Sequence, residues 1–242
     1  MEVVQGKPLH EIISRPTFQI EYTEDQIIFL SYAILSALSY LSSKNIMHRD
    51  LKPDNILIQK NGKIVIIDFG LACNPRQSEF AYKICGSPGY IAPEVLKCSL
   101  QDKFSAYNQQ CDVFSAGCIL FYMYEERILR VKITLSRLFG HALFEGGSTS
   151  DNIRLNSSFN YTQLAREIKD EINNPHSNKN KRGLDLVLKM LNPDPRNRIN
   201  VYEALEHPYF EPMTQNKGMQ SFKTKSIKSQ VSTMNLLNKS TE

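Results

Sequence analysis

The sequence lacks the cysteine spacing of a disulfide-rich domain or of a structural zinc site. Its five cysteines are odd in number and include no CxxC pair; they are Cys73, Cys85, Cys98, Cys111 and Cys118. Small secreted domains and zinc-binding modules place their cysteines in closely spaced sets. We therefore expect reduced thiols and a cytoplasmic location.

Long apolar runs and a strong charge of one sign are also missing. No N-terminal apolar segment follows basic residues in the manner of a signal peptide, and the run from Cys118 to Tyr124 is far too short to span a bilayer. The formal net charge of +4 over 242 residues is small and is spread along the chain. We therefore expect no membrane partner and no nucleic-acid partner.

The apolar residues that are present predict a sizeable core built mostly from helices. Thr23 to Gln26 has the pattern of a capping box, and apolar residues then recur at helical spacing as far as Leu41. This pattern predicts an amphipathic helix that ends near Ser43. Further helices are predicted over residues 112–123, 184–191 and 201–206.

Two short apolar runs after the first long helix predict a β-hairpin. Ile56–Ile58 and Ile64–Ile67 are separated by residues 59–63, and the Asn61-Gly62 pair at the centre is typical of a type I′ turn. A single hairpin among helices indicates an α+β fold that is mainly helical. The apolar pattern stops after Phe210, so residues 211–242, rich in Lys, Ser and Thr, are predicted to form a disordered tail.

The stretch from His48 to Asn55 carries the residue types that phosphoryl transfer to a hydroxyl requires. That reaction needs a carboxylate facing the hydroxyl, oxygen ligands for Mg²⁺ and a cation near the transferred phosphate. Asp50 can act as the base, Lys52 as the cation and Asn55 as a metal ligand. Asp68 follows the second predicted strand, and the hairpin brings it towards Asn55 as a second ligand.

Three motifs in this order resemble the signature set of the protein kinases. They are His48-Arg49-Asp50-Leu51-Lys52-Pro53-Asp54-Asn55, Asp68-Phe69-Gly70 and Ala92-Pro93-Glu94. An Asp-Phe-Gly tripeptide alone means little, because turns use Asp and Gly constantly. The order and spacing of all three make the resemblance specific, and it covers residues 1–210.

Within that family the sequence resembles the serine/threonine branch. Lys52 stands two residues after Asp50, and the resemblance implies that Ser87, within Gly86-Ser87-Pro88-Gly89-Tyr90, forms hydrogen bonds towards both. It further implies ATP and Mg²⁺ as cofactors and a protein substrate with a Ser or Thr acceptor. Whether a regulatory partner also binds stays open. The final segments, residues 194–199 and 207–210, resemble the calmodulin-dependent kinase group.

The same resemblance assigns a nucleotide site to the first residues of the chain. Met1 to Gly6 resembles the hinge between the two kinase lobes, so the backbone of Glu2 and Val4 would bind the adenine edge, with Leu57 below the ring. Pro8 departs from the pattern, because many relatives carry a polar residue there that helps to hold the ribose. An ordinary exposed strand followed by a turn is the alternative interpretation.

Several matching residues are expected to be structural. The resemblance implies a buried ion pair between Glu94 and Arg198. It also implies that Asp112 holds the backbone of the catalytic loop, which is the stretch from His48 to Asn55. His48 is expected to pack and form hydrogen bonds behind the site.

Three features depart from the family pattern. No Gly-rich loop, strand lysine or partner glutamate precedes Met1, so we expect the hinge and the large C-terminal lobe without the small lobe, and a weakened nucleotide site. Residues 124–138 are predicted to be an insertion of about thirteen to fifteen residues or retained non-coding sequence. Lys83 stands where regulated relatives often have a phosphorylatable threonine; Ser78 and Tyr82 are alternative acceptors, and dependence on phosphate stays open.

Two functional hypotheses follow. The first is a protein serine/threonine kinase, with Asp50 as the base and Asn55 and Asp68 as the metal ligands, whose activity is reduced by the missing lobe. The second is a non-catalytic, kinase-like module that binds a regulatory partner. A purely structural helical domain would leave the three motifs unexplained.

Overall fold

The computed structural model describes residues 5–13, 23–76, 83–98, 107–128, 160–176 and 180–214. In these ranges the helices are α1 Leu9–Ile13, α2 Glu24–Ser43, α3 Pro93–Leu96, α4 Gln110–Ile128, α5 Tyr161–Asn173, α6 Lys181–Met190, α7 Val201–Leu205 and α8 Glu211–Thr214. The strands are β1 Lys7–Pro8, β2 Ile56–Ile58 and β3 Ile64–Ile66. Short 3₁₀ helices cover Pro53–Asn55, Phe69–Leu71 and Pro208–Phe210.

Helix α2 begins and ends as its sequence predicts. The side chain of Thr23 accepts a hydrogen bond from the backbone N–H of Gln26 at 3.3 Å, and the side chain of Gln26 accepts one from Thr23 at 2.8 Å. This is the predicted capping box. By length and composition alone, helix α2 is apolar enough to cross a membrane. Half of its most apolar stretch is buried inside the fold, and buried core helices can have the same length and composition. Its buried face packs against α4 and α7.

The predicted hairpin is present, but its turn differs from the predicted type. Strands β2 and β3 pair antiparallel with Leu57 opposite Val65. Gln59 donates its N–H to Lys63 O at 2.9 Å, so the loop has three residues, and Gly62 has a φ of 82°. Asn61 is not among the positive-φ residues, so the type I′ prediction is wrong. A three-residue loop needs only one left-handed residue, and Gly62 supplies it.

A third strand extends the hairpin into a sheet of order β1-β2-β3. Pro8 lies opposite Leu57 in the antiparallel β1–β2 pair. A proline is tolerated there because β1 is an edge strand. The sheet therefore attaches the start of the described chain to the segment that leads out of the catalytic loop.

The core lies between α2, α4, α6 and α7. Helix α4 is longer than the predicted 112–123, whereas α6 and α7 lie close to their predicted bounds. Helices α4 and α6 approach so closely at Gly117 that a Cβ there would lie 2.9 Å from Cβ of Met190. Helix α5, which the sequence patterns did not predict, packs on α6 and buries Leu164 and Ile168.

The structure bears on the predicted start of the tail and on the first residue of the predicted insertion. The predicted tail begins too early, because Glu211–Thr214 is helical, Met213 is buried, and Glu211 forms an ion pair of 2.6 Å with Arg182. Tyr124, at the start of the predicted insertion, is a buried residue of α4. Residues 129–138, residues 215–242, Ser78 and Tyr82 lie outside the described residues, and the predictions made for them stay predictions.

Candidate active site

The first turn of α4 anchors the backbone of the catalytic loop through Asp112. Asp112 is buried, and its two carboxylate oxygens accept hydrogen bonds from the backbone N–H groups of His48 at 2.7 Å and Arg49 at 2.8 Å. Burial raises the pKa of the Asp112 carboxyl, and the two N–H bonds oppose that rise. The predicted anchoring role of Asp112 is confirmed.

His48 lies behind the site, as expected, and is completely buried. Its Nε2 lies 2.9 Å from the carbonyl oxygen of Ile67, and its Nδ1 accepts a hydrogen bond of 3.3 Å from the backbone N–H of Asp50. The carbonyl can only accept, so the proton of a neutral imidazole belongs on Nε2. His48 thus connects the catalytic loop to the segment before Asp68 and holds Asp50 in place.

The two carboxylate oxygens of Asp50 differ in their hydrogen bonding among the described residues. Its Oδ2 lies 3.4 Å from Nζ of Lys52 and accepts a hydrogen bond of 3.2 Å from the amide of Asn55. Its Oδ1 is buried and has no hydrogen-bond partner among the described residues. A buried carboxylate oxygen without a partner is costly, and such atoms mark places where an incoming group completes the bonding.

Lys52 connects the catalytic loop to the segment before α3. Its Nζ donates a hydrogen bond of 2.7 Å to Oγ of Ser87 while it faces Oδ2 of Asp50. The structure therefore brings Asp50, Lys52 and Ser87 together as the sequence predicts. No direct Ser87–Asp50 hydrogen bond occurs among the described residues, so Lys52 lies between them.

Asn55 and Asp68 reach the same end of the hairpin. Asn55 ends the 3₁₀ turn just before β2, and its carbonyl accepts a hydrogen bond of 2.9 Å from the backbone N–H of Ile67, the residue before Asp68. Asp68 is exposed and adopts a left-handed backbone with φ 62° and ψ 73°. Non-glycine residues in this region are strained, and they persist where surrounding structure or function requires them.

The oxygen atoms at this end of the hairpin fit a magnesium ion. The Asn55 amide nitrogen is turned to Asp50, and none of the described residues donates to its Oδ1, which leaves that oxygen available. Asp68 contributes an exposed carboxylate. In the described part of the chain no group of three or more His, Cys, Asp or Glu residues is placed to hold a metal ion. Magnesium suits such a site, because it commonly takes one or two protein oxygens and completes its shell with water and substrate phosphates.

The predicted adenine-binding residues are only partly described. Leu57 is half-buried in β2, and Gly6 lies close to it, since a Cβ added to Gly6 would stand 3.1 Å from Cβ of Leu57. Glu2 and Val4 lie outside the described residues, and their role stays a prediction.

The buried ion pair predicted below the site is confirmed. Arg198 is fully buried and donates two hydrogen bonds to Glu94, of 2.6 and 2.8 Å. It also donates to the carbonyls of Gln110 and Asn192, at 2.7 and 2.9 Å, so each of its three guanidinium nitrogens has a partner. Through these contacts Arg198 links the start of α3 and the start of α4 to the loop between α6 and α7.

A comparison with protein-family models decides the family. The model described as the protein kinase domain matches residues 1–210. The chain belongs to the protein kinase family. The matched range contains the catalytic loop, the Asp68-Phe69-Gly70 segment and the Glu94–Arg198 pair.

The individual relatives include kinases with different names. The gamma catalytic chain of phosphorylase b kinase (liver/testis isoform) from Mus musculus is 32% identical over 209 residues, covering 83% of this chain and 44% of the relative. Mitogen-activated protein kinase 1 from Oryza sativa subsp. japonica is 33% identical over 205 residues (83% and 50%), and mitogen-activated protein kinase 4a from Physcomitrium patens is 34% identical over 209 residues (83% and 53%). The chain spans about half the length of these relatives. The resemblance to the calmodulin-dependent group stays a prediction.

One set of contacts at the site was not foreseen from the sequence. The Arg49 guanidinium donates from Nε to the carbonyl of Leu71 at 2.6 Å and from Nη1 to the hydroxyl of Tyr107 at 3.0 Å. Tyr107 lies fifty-eight residues further along the chain. No local sequence motif connects these two positions, so this contact had no signal in the sequence. In the structure, Arg49 has an unusual positive φ of 67°.

Proposed function

We propose that this domain catalyses the ATP-dependent phosphorylation of serine or threonine hydroxyls in protein substrates. The observation that carries the proposal is the carboxylate of Asp50, whose Oδ2 is fixed by Lys52 and Asn55 while its Oδ1 is buried without a partner among the described residues. An acceptor hydroxyl that donates to Oδ1 would supply the missing bond. That hydroxyl would be oriented for attack on a phosphoryl group.

The groups around Asp50 match the charge changes of the reaction. As the acceptor oxygen bonds to the γ-phosphorus and the bond to the β-phosphate oxygen breaks, the acceptor proton passes to Asp50 and ADP leaves. Lys52 Nζ faces Asp50 and binds Ser87, so its positive charge is fixed beside the reacting oxygen. Asn55 and Asp68 would hold magnesium, which when bound neutralises the phosphate oxygens.

The wider organisation is part of the same proposal. We propose that residues 1–210 form the kinase domain, corresponding to the hinge and the large lobe, with the adenine contacted by Glu2, Val4 and Leu57. The five cysteines form no disulfide in the described part of the chain, which supports a cytoplasmic location. No observation favours the alternative of a non-catalytic module, and the contacts of Asp50 with Lys52 and Asn55 support the catalytic proposal.

Transfer of labelled γ-phosphate from Mg·ATP to a peptide library tests the proposal. The assay uses the full-length protein, with any residues that flank this chain, and acid hydrolysis of the products identifies the acceptor. We expect phosphoserine and phosphothreonine from the wild type and a large loss for Lys52→Met. Lys181→Met, the same change at an exposed position of α6, is the control and should leave the rate unchanged. Phosphotyrosine as the main product, or full activity in Lys52→Met, would contradict the proposal.

A further inference from the structure

The hydroxyl of Tyr107 connects three segments that are distant in sequence. Tyr107 precedes α4 in the chain, and its side chain is buried. Its hydroxyl oxygen lies 3.0 Å from Nη1 of Arg49 and 2.6 Å from the carbonyl oxygen of Lys83. The sulfur of Cys85 lies 3.6 Å away. The catalytic loop, the segment before Ser87 and the entry to α4 therefore meet at one oxygen atom.

The directions of these hydrogen bonds follow from the chemistry of the groups. A guanidinium only donates and a carbonyl only accepts, so the hydroxyl accepts from Arg49 and gives its single proton to Lys83. The Cys85 thiol is then the donor in its weak contact. A tyrosine hydroxyl is protonated at neutral pH, and burial raises the pKa of Tyr107 further.

Arg49 also contacts residues on both sides of residues 72–82. Its guanidinium also donates to the carbonyl of Leu71, which follows Asp68-Phe69-Gly70, at 2.6 Å. Its own carbonyl oxygen packs against Gly86, where an added Cβ would lie at 2.6 Å. The backbone N–H of Arg49 is held by Asp112 at 2.8 Å. A displacement of Arg49 would thus disturb contacts on both sides of residues 72–82.

We propose that the Tyr107 hydroxyl is a positioning group that holds the segment from Lys83 to Ser87 against the catalytic loop, and so aligns the protein acceptor. Lys83 stands four residues before Ser87, whose Oγ accepts the hydrogen bond from Lys52. This inference rests on the proposed kinase function. It also implies that part of the order of this segment comes from an unmodified tyrosine and needs no added phosphate.

Tyr107→Phe tests the inference because it keeps the buried ring and removes only the hydroxyl. The matched control is Tyr124→Phe, which removes a buried hydroxyl bound to Glu24 at 2.6 Å, away from the site. Both variants are made in the full-length protein. For Tyr107→Phe we expect kcat/KM for the peptide acceptor to fall about 10–100-fold, the range for losing a hydrogen bond to a charged group, while KM for ATP stays unchanged. Tyr124→Phe should lower Tm and leave the peptide kinetics unchanged.

Amide hydrogen exchange provides a readout that does not need catalysis. We expect faster exchange over residues 83–87 in Tyr107→Phe than in the wild type, and no such change in Tyr124→Phe. Equal peptide kinetics and equal exchange in Tyr107→Phe and the wild type would overturn the inference and leave the kinase proposal intact. An inactive wild type would contradict the kinase proposal, and the exchange result would then decide the inference alone.

Discussion

Asp112 holds the N–H of Arg49 at 2.8 Å while Arg49 adopts a left-handed backbone with a φ of 67°. Such a conformation costs a non-glycine residue about 1–3 kcal/mol, and it persists only where neighbours impose it. Asp112 holds the backbone of Arg49 in this conformation, and Leu71 and Tyr107 accept hydrogen bonds from the Arg49 side chain. The geometry of the catalytic loop therefore depends on a carboxylate that never contacts the reacting atoms.

Asp112→Asn should distort the catalytic loop. An amide offers one acceptor oxygen where two backbone N–H groups need one each, and its NH₂ group would face a donor. We expect a loss of about 1–3 kcal/mol in the free energy of unfolding and a clear fall in kcat. Urea denaturation and the peptide assay measure the two effects. Asp170→Asn, at an exposed position of α5, should change neither, and an unchanged kcat in Asp112→Asn would show that the anchor is dispensable.

The Glu94–Arg198 pair should show strong coupling. Glu94→Ala leaves a fully buried guanidinium without its charge partner, and we expect a loss of about 3–5 kcal/mol. The double variant with Arg198→Leu removes both charges, so its loss should be smaller than the sum of the two single losses. Denaturant unfolding of the four proteins measures the cycle. Additive losses would mean that the two charges stabilise the fold independently.

Gly86→Ala should damage the contact between the catalytic loop and the segment before Ser87. Gly86 has a φ of 109°, and an added Cβ would lie 2.6 Å from the carbonyl oxygen of Arg49. Strain and steric overlap together should lower Tm and the peptide kcat/KM. Gly62→Ala, at φ 82° in the hairpin turn, is the control and should lower Tm without changing the kinetics. Kinetic damage in both variants would show that general destabilisation is the cause.

Stability should fall as the pH drops below about 6.5 because of His207. Its Nδ1 accepts from the backbone N–H of Tyr209 at 3.3 Å, and its Nε2 faces Asp185 at 2.9 Å and Lys189 at 3.2 Å. Burial lowers the pKa of His207, and the positive charges of Lys189 and Arg182 lower it further against the opposing effect of Asp185. Protonation then favours the unfolded state, so the stabilising contribution is complete above the unfolded pKa of about 6.5 and is lost below it.

Thermal unfolding between pH 5 and pH 8 measures this contribution. His207→Asn keeps an acceptor for the N–H of Tyr209 but cannot be protonated in this range, so its Tm should depend less on pH. His176→Gln changes an exposed histidine and should retain the pH dependence of the wild type. Identical pH profiles for His207→Asn and the wild type would exclude His207 as the source.

Local sequence patterns predicted the elements that depend on neighbouring residues. The capping box of Thr23 and Gln26, the hairpin strands and the grouping of Asp50, Lys52 and Asn55 all involve short separations, where residue type limits the geometry strongly. The turn type was wrong because Asn-Gly is compatible with more than one loop length. The number of residues in the loop is set by which backbone groups pair, here Gln59 with Lys63.

Contacts between distant segments could not be predicted from local pattern. The resemblance to the family supplied the Glu94–Arg198 and Asp112 contacts, which no periodicity indicates. Tyr107 carried no signal, because a tyrosine in an ordinary polar stretch becomes a link only when folding brings it to Arg49. Helix α5 was missed because only Leu164 and Ile168 are buried along it.

The most direct test of the central claim separates phosphoryl transfer from nucleotide binding in Asp50→Asn. This substitution keeps the size of the side chain and removes the carboxylate that accepts the acceptor proton. The account predicts that the full-length Asp50→Asn protein binds Mg·ATP as the wild type does in a calorimetric titration, yet transfers phosphate to peptide at a rate at least about 100-fold lower. Asp170→Asn should match the wild type in both measurements. Wild-type transfer rates in Asp50→Asn would contradict the account.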